Sequence, residues 1–378
     1  MALGDIITAP IQNILVLNPG SNTKPDILHI AGNVFAISLF DAPVDGQVRT
    51  YNVSNDGIIT YLANVALVSQ TLGSHIVHHA GNNYAITCNE TLPHGTGIYV
   101  EVVGISPDGL TLNHLAGPYL FEAGNFSNLI QIAPNYYANF YHIAAGPVVV
   151  YTFSLSDNGL AFNLLTRFVL DALNCVEIHA LHITGDVYAS VYQEGVRGRI
   201  RTTSISPDGA AIANIDTVDF DAAWCRWPRL CHVAGNIYVI TYSGPPIPPG
   251  QTGWLQAVEI LPTGAITLLG NLNFDTACDI SSPILLGLNT IAIFYQAPGT
   301  QGSVITIDAG DGTAPAIDAG PVVWVANCMG NNVARLPGTN VYALAHERTA
   351  PNPAWLATFS VDSGYPPIVL TDPATGVT

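Results

Sequence analysis

The chain has 378 residues, of which 49 % are hydrophobic and only 10 % are charged. This composition excludes a disordered chain, which is charged and poor in apolar residues, and no stretch approaches the roughly 20 apolar residues of a membrane-spanning helix. The net charge of −17 and the single lysine, Lys24, argue against nucleic-acid binding, because that affinity comes from clustered basic side chains.

The N-terminal residues and the number of cysteines set expectations about compartment and redox state. The opening MALGDIITAP has neither the basic nor the apolar segment of a secretory signal, so we expect synthesis in the cytoplasm. Six cysteines are too few for a disulfide scaffold in so long a chain, and none form a CxxC pair. We expect buried free thiols, no metal and no cofactor.

A short phrase recurs along the chain: LHIAGN (28–33), VHHAGN (77–82), LHITGD (181–186) and CHVAGN (231–236). Its small residue aligns at seven positions, which are 49 to 53 residues apart: Gly32, Gly81, Pro134, Gly185, Gly235, Gly287 and Gly338. A second turn signal follows each of them, from NDG (55–57) and PDG (107–109) to DSG (362–364). Two independent marks with one period indicate seven repeats.

The segments between the marks are predicted to be strands. The first unit gives DILHIAG, NVFAISLFD, GQVRTYNVS and IITYLANVALVS, which are rich in β-branched and aromatic residues and show no helical period. Four short antiparallel strands in each of seven units predict an all-β, seven-bladed β-propeller. We expect a single domain over residues 1–378, with units that start near residues 27, 76, 129, 180, 230, 282 and 333.

The first residues are predicted to close the ring. GDIITAPIQNILVLN (4–18) matches DGIITYLANVALVSQ (56–70), the fourth-strand segment of the first unit. It is therefore predicted to be the outer strand of blade seven, which would cover an open sheet edge. The whole pattern resembles the seven-bladed WD-repeat and kelch propellers, and SPDG (106–109 and 206–209) is a turn of the kind they use. No enzyme family motif accompanies this resemblance.

Two recurring side-chain patterns have both a chemical and a structural interpretation. Four histidines lie three residues before the turn glycine, where they could bind a metal or bond to the backbone of a neighbouring blade: His29, His78, His182 and His232. The blade links repeat an acid and a cysteine, with Cys328 as a further member that lacks the acid: Asp171 and Cys175, Asp221 and Cys225, Asp275 and Cys278. We favour the structural interpretation of both, with the acids as turn caps and the cysteines as buried filler.

The segment WCRWPRLC (224–231) departs from the repeat and carries the candidate binding site. Tryptophan and arginine are the residues most enriched at interface hot spots, and the second-to-third loops and blade links that surround this segment are irregular. The candidate binding residues are Trp224, Arg226, Trp227, Arg229 and Trp254. The alternative is that the tryptophans fill the space between blades four and five, with the arginines paired to Asp219 or Asp221.

A second arginine-rich segment, RGRIR (197–201), places Arg197, Arg199 and Arg201 on one strand face, which we expect to be solvated. No motif pairs a nucleophile with a base and an acid, so no catalytic residue is predicted.

The sequence favours a non-catalytic structural or binding propeller, because a surface so poor in charge is better solvated inside an assembly. A phage virion subunit is the expected setting, with protein neighbours as partners and glycans as further candidates. The alternatives are a lectin-like carbohydrate-binding propeller and a glycan-acting hydrolase or lyase.

Overall fold

A computed structural model describes most of the chain. The described residues are 13–18, 25–40, 46–68, 74–90, 97–143, 146–245, 251–287, 289–297, 301–325, 328–339, 341–348 and 354–360. All of their regular secondary structure is β-strand. Among them there is no helix long and apolar enough to cross a membrane.

The described residues form 28 strands. In chain order they are β1 (Asn13–Asn18), β2 (Asp26–Ala31), β3 (Val34–Phe40), β4 (Gly46–Val53), β5 (Ile59–Ala66), β6 (Ser74–Ala80), β7 (Asn83–Glu90), β8 (Gly97–Ile105), β9 (Leu112–Leu120), β10 (Asn125–Ala133), β11 (Tyr136–His142), β12 (Val148–Leu155), β13 (Phe162–Asp171), β14 (Cys175–Thr184), β15 (Val187–Glu194), β16 (Arg197–Ile205), β17 (Ile212–Asp221), β18 (Arg226–Ala234), β19 (Ile237–Gly244), β20 (Thr252–Ile260), β21 (Ile266–Asp275), β22 (Ser281–Gly287), β23 (Thr290–Ala297), β24 (Gln301–Asp308), β25 (Ala316–Val325), β26 (Cys328–Arg335), β27 (Val341–Arg348) and β28 (Ala354–Ser360).

These strands form seven four-stranded sheets, and the chain is a seven-bladed β-propeller. Blades one to six each contain four consecutive strands in sequence order, from β2–β5 in blade one to β22–β25 in blade six. The strand pairs of the blades are antiparallel. The predicted fold class and the resemblance to seven-bladed propellers are therefore confirmed. That residues 1–378 form a single domain stays a prediction.

Blade seven is closed by the N-terminal strand, as predicted. Its strand order is β1-β28-β27-β26, and β1 pairs with β28 in antiparallel register from Asn13 opposite Thr358 to Val16 opposite Trp355. Leu17 is buried in the core that blades seven and one share, and Arg49 of blade one donates a hydrogen bond to the Leu17 carbonyl. Residues 4–12 of the predicted closing segment lie outside the described residues.

The described chain divides into two compact units. We call them the blade 4–6 unit and the blade 7–1–2 unit after the blades that lie wholly or mostly within them, and blade three contributes to both. The blade 4–6 unit includes Phe140–Tyr151 and Thr166–Gly330, and the other includes the described parts of Ile7–Asn139, Thr152–Leu165 and Asn331–Thr378.

Within each unit, the third-to-fourth turn of one blade is bonded to the blade before it. Thr50 Oγ1 donates to the carbonyl of Gly109 at 2.6 Å, and Thr202 Oγ1 donates to that of Gly264 at 2.5 Å. Gly109 has a positive φ of 70°, and a Cβ built on it would lie only 2.7 Å from Val34. The turn glycine is therefore required both by its backbone conformation and by the close approach of the two blades.

Candidate functional site

The structure places the predicted binding residues on two strands and one link of blade five. Arg226, Trp227 and Arg229 lie on β18, the first strand of the blade, and Trp254 lies on β20, the third strand. Trp224 precedes β18, and its backbone N–H is bonded to Asp221 Oδ1 at 3.1 Å. The proline-rich loop before Trp254 lies largely outside the described residues.

A β-bulge disturbs the first strands of blades four and five at the same place. The register shifts between Val176 and His179 in β14 and between Arg226 and Arg229 in β18. Glu177 and Trp227, each two residues after the link cysteine, have positive φ angles of 59° and 52°. Left-handed backbone at bulky residues is strained, and such strain and such bulges cluster at functional sites.

Glu177 connects the two bulges. Its carboxylate is only 6 % exposed, and its Oε2 accepts a hydrogen bond from the backbone N–H of Trp227. Its Oε1 lies 4.0 Å from Nη2 of Arg226. The site therefore contains a buried carboxylate beside a guanidinium at the link end of two first strands.

Arg226 is the exposed member of this group. Its side chain is 36 % exposed, and its guanidinium carbon lies 5.7 Å from the centroid of the Trp227 ring, which is within cation–π range. With the Gln251 amide oriented to suit its neighbours, the amide oxygen accepts from Nη1 of Arg226 at 3.2 Å and the nitrogen donates to Oδ1 of Asp279 at 3.1 Å. The cation is thus oriented from two sides and still faces solvent.

Trp254 is not part of this group of contacts. Its Nε1 donates to Thr252 Oγ1 at 2.7 Å, and its ring covers Gly244, where an added Cβ would come within 2.4 Å of the indole. It packs against the core of blades four and five. The structure therefore joins Arg226 and Trp227 to Glu177, which the sequence analysis did not single out, and assigns Trp254 a packing role.

Asp219 and Asp221, which the sequence suggested as partners for Arg226 and Arg229, make other contacts in the structure. Asp219 pairs with Arg197 at 3.3 Å and with Arg199 at 2.8 Å, and Asp221 accepts the backbone N–H of Ala223 at 2.8 Å. Glu177 is therefore the acid closest to Arg226 among the ion pairs that the structure describes.

The RGRIR segment differs from its expected solvated state. Arg199 is mostly buried and binds Asp171 and Glu194 at 2.7 Å each, in addition to Asp219 at 2.8 Å. Burial lowers the pKa of its guanidinium, but the hydrogen bonds to Asp219 and Asp171 outweigh burial, so the net shift is upward. Only Arg197 is largely exposed. The segment is an internal ionic cluster that joins the strands of blade four to the end of β13.

The recurring histidines have a structural role in their own blades. Each donates its Nε2–H to the carbonyl of the turn glycine three residues later, at 2.8–2.9 Å. Each ring also packs against an aromatic residue of the second strand. The partner is thus the turn of the same blade and not the neighbouring blade that the sequence analysis considered.

The acid-and-cysteine links also have the predicted structural role. Asp221 and Asp275 accept backbone N–H groups two residues later, at 2.8 and 3.1 Å. Cys225 and Cys278 are buried free thiols. Burial and, after it, the charges of Glu177 and Asp221 raise the pKa of Cys225 well above its ordinary value, so this thiol does not supply a thiolate nucleophile. The side chain of Cys328 lies outside the described ones.

One polar position of the repeat was missed. Six residues before each turn mark, on or beside the first strand, every unit has a polar side chain: Asp26, His75, Asn128, His179, Arg229, Ser281 and Asn332. In the blade 4–6 unit, His179 Nδ1 accepts the N–H of Leu230 at 3.2 Å. Aligning the units on the glycine would have revealed this column, because the other positions of these strands are mainly apolar.

Comparison with known proteins shows similarity in structure only. No protein-family model matches the chain, and no curated protein matches its sequence. The fold is similar to a proposed 6-phosphogluconolactonase of Bacteroides uniformis, with TM-score 0.55 and 11 % identity over 77 % of this chain and 82 % of that one. It is also similar to the periplasmic gluconolactonase of Pseudomonas aeruginosa, with TM-score 0.52 and 12 % identity over 78 % and 83 % of the two chains. Saccharomyces cerevisiae Sqt1 gives TM-score 0.54 and 7 % identity over 94 % and 100 %.

These similarities correct two predictions. Two of the three propellers are named as lactonases, and none of the three is named as a virion component. The expectation of a non-catalytic structural propeller in an assembly such as a phage virion is therefore wrong, as is the expectation that the chain is not an enzyme. At 7–12 % identity the similarity shows the fold, and the chemistry has to be argued from this chain's own residues.

Proposed function

We propose that the protein is a hydrolase that acts on a sugar-derived lactone or ester, with Glu177, Arg226 and Trp227 at its active site. The observation that carries the proposal is the buried carboxylate of Glu177, held at a strained backbone position 4.0 Å from a partly exposed guanidinium. The names of two propellers of similar fold, both lactonases, support the same class of substrate.

Each of the three residues has a distinct part in this reaction. Glu177 accepts a proton from water as the water oxygen attacks the substrate carbonyl carbon, which is general-base catalysis. Arg226 stabilises the negative charge that develops on the carbonyl oxygen. When the tetrahedral intermediate collapses, the ring C–O bond breaks and the leaving alkoxide takes the proton back from Glu177. Overall, one lactone and one water molecule give one hydroxy acid.

Trp227 supplies a surface for the sugar. The Arg226 guanidinium lies near its ring, and an aromatic face gives apolar contact to the C–H groups of a pyranose or furanose. The backbone N–H of Trp227 donates to Glu177 Oε2, which fixes the carboxylate, and Oε1, on the side of Arg226, receives the proton.

The test is hydrolysis of glucono-δ-lactone, its 6-phosphate and a panel of aryl glycosides by the purified protein. We expect turnover of at least one lactone, and a loss of about 10²–10⁴-fold in kcat for Glu177→Gln, which is the usual contribution of a general base. Glu101→Gln is the matched control, because Glu101 is a fully buried carboxylate of blade two bonded to the N–H of Val68.

Two outcomes would contradict the proposal. Unchanged kcat in a folded Glu177→Gln variant removes Glu177 from the reaction. No hydrolysis of any substrate, together with glycan binding that Trp227→Ala abolishes, identifies a lectin-like propeller instead.

A further inference from the structure

The blade 7–1–2 unit contains a second group of polar side chains, separate from the proposed active site. It belongs to the position six residues before the turn mark, which in these blades and in blade three is occupied by Asn332, Asp26, His75 and Asn128. Three of them, on three successive first strands, are linked in series through His75, which lies near both of the others: Asp26 on β2, His75 on β6 and Asn128 on β10.

Asp26 is fixed before any ligand arrives. It is buried, and its Oδ1 accepts the N–H of Ile27 at 3.0 Å while its Oδ2 accepts the N–H of Ile76 at 2.9 Å. Two backbone donors hold the carboxylate in place. Each carboxylate oxygen still has a lone pair for a further partner.

His75 lies between the carboxylate and the amide. Its Nε2 is 3.8 Å from Asp26 Oδ2, beyond hydrogen-bond range, and 3.1 Å from the amide nitrogen of Asn128. The oxygen and nitrogen of an Asn amide are assigned from their surroundings, so a cation at this place would be met by the amide oxygen after a half-turn of the group. The His75 side chain is 28 % exposed, which leaves room for solvent on one side.

We propose that Asp26, His75 and Asn128 bind a divalent first-row metal ion such as Zn²⁺ or Mn²⁺. Metal–ligand bonds to imidazole nitrogen and carboxylate oxygen are about 2.1 Å long. At that length, donors 3.8 and 3.1 Å apart subtend angles of about 130° and about 95° at the ion, which are within about 20° of tetrahedral. One imidazole and two oxygen donors suit Zn²⁺ or Mn²⁺ better than a purely oxygen-binding ion.

The recurring histidines do not compete for this ion. His78, three residues later on the same strand, uses its Nε2 for the carbonyl of Gly81 at 2.9 Å. Within the described part of the chain, His75 makes no such turn contact, and its Nε2 faces an acid and an amide from two neighbouring blades. Three protein ligands leave a coordination position for water, as in metal sites that are open to a ligand.

The experiment is metal binding by the full chain after dialysis against a chelator. Calorimetry with Zn²⁺ and electron paramagnetic resonance with Mn²⁺ are expected to show one site per chain. His75→Ala is expected to weaken binding by at least about tenfold, since one of three protein ligands is lost, and His78→Gln is expected to leave it unchanged.

The same measurements can overturn the proposal. Absence of saturable binding of both ions would do so, as would a site that persists unchanged in His75→Ala. Asp26→Asn serves as the second variant, because it keeps the size of the side chain and the acceptor oxygen for Ile76 while removing the charge. Since none of the three residues belongs to the proposed active site, hydrolase activity and metal binding succeed or fail independently.

Discussion

Leu17 offers the sharpest test of the closure of blade seven. The side chain is 3 % exposed and packs in a core cluster with Leu336, Val341 and Leu356 of blade seven and Phe35 of blade one. Leu17→Ala removes three carbon atoms, which lose about 2.4 kcal/mol of transfer free energy. The cavity that remains raises the expected loss of unfolding free energy to about 3–5 kcal/mol.

This loss is large enough to measure by thermal unfolding. A chain of 378 residues has an unfolding entropy of about 0.8 kcal/mol/K at about 2.1 cal/mol/K per residue, so the midpoint is expected to fall by about 4–6 °C if unfolding is cooperative. Leu110→Ala is the matched control, because Leu110 is 60 % exposed and such a change is worth about 0.5 kcal/mol or less.

A stronger perturbation removes residues 1–18 altogether. This deletion exposes the edge of β28 that β1 covers, and an uncovered edge promotes pairing with other chains. The closure argument is refuted if Leu17→Ala melts with Leu110→Ala and the deletion variant stays monomeric at an unchanged midpoint.

Three further predictions concern the thiols, the pH dependence and the tryptophans. Because burial raises the pKa of Cys175 to about 12 and that of Cys225 well above its ordinary value, thiol titration at pH 8 is expected to detect neither in the native protein and both after denaturation; native labelling of Cys225 would contradict this. Burial also lowers the pKa of His79 below its ordinary value of 6.5. Between the two pKa values the unfolded state binds more protons, so the free energy of unfolding is expected to fall as the pH drops below about 6.5. A urea midpoint of the wild type that is the same at pH 7.5 and pH 5.5, while that of His79→Gln differs, would contradict this prediction. Trp254→Ala is expected to cost about 3–5 kcal/mol through loss of packing with activity per folded molecule retained, whereas Trp227→Ala is expected to lower activity more than stability, and the reverse order would return Trp227 to a packing role.

The blades could be predicted from the sequence because the turn signals that separate their strands are local. A turn glycine and a second turn signal recur with one period, and each needs only its own neighbours to act. The closing strand was predicted for a related reason: residues 4–18 repeat the fourth-strand segment 56–70. Backbone pairing in a propeller follows from such marks without knowledge of any long-range contact.

The candidate site could be predicted only in part, since its contacts join residues about 50 positions apart. Arg226 and Trp227 were conspicuous because both residue types are scarce in this chain, but Glu177 was not, because nothing in CVEIHA indicates left-handed backbone at a glutamate. The bulge becomes visible only when β14 and β15 are paired. Likewise, the ion pair of Arg199 with Asp171 joins β16 to the last residue of β13.

The two polar columns of the first strand explain why a repeat can hide its own functional positions. Three residues before the glycine, histidine recurs in four of the seven blades, because those blades share one structural role there: the imidazole of His29, like that of His182, donates to its own turn carbonyl. Six residues before the mark, every blade is polar but adjacent blades differ, with Asp26 followed by His75 and Asn128. A structural role that repeats from blade to blade favours one residue type, whereas a ligand that is bound by several blades at once needs a different donor from each blade. The irregular column is therefore the better place to look for ligands, and in this protein it is the column from which both His75 and Arg229 come.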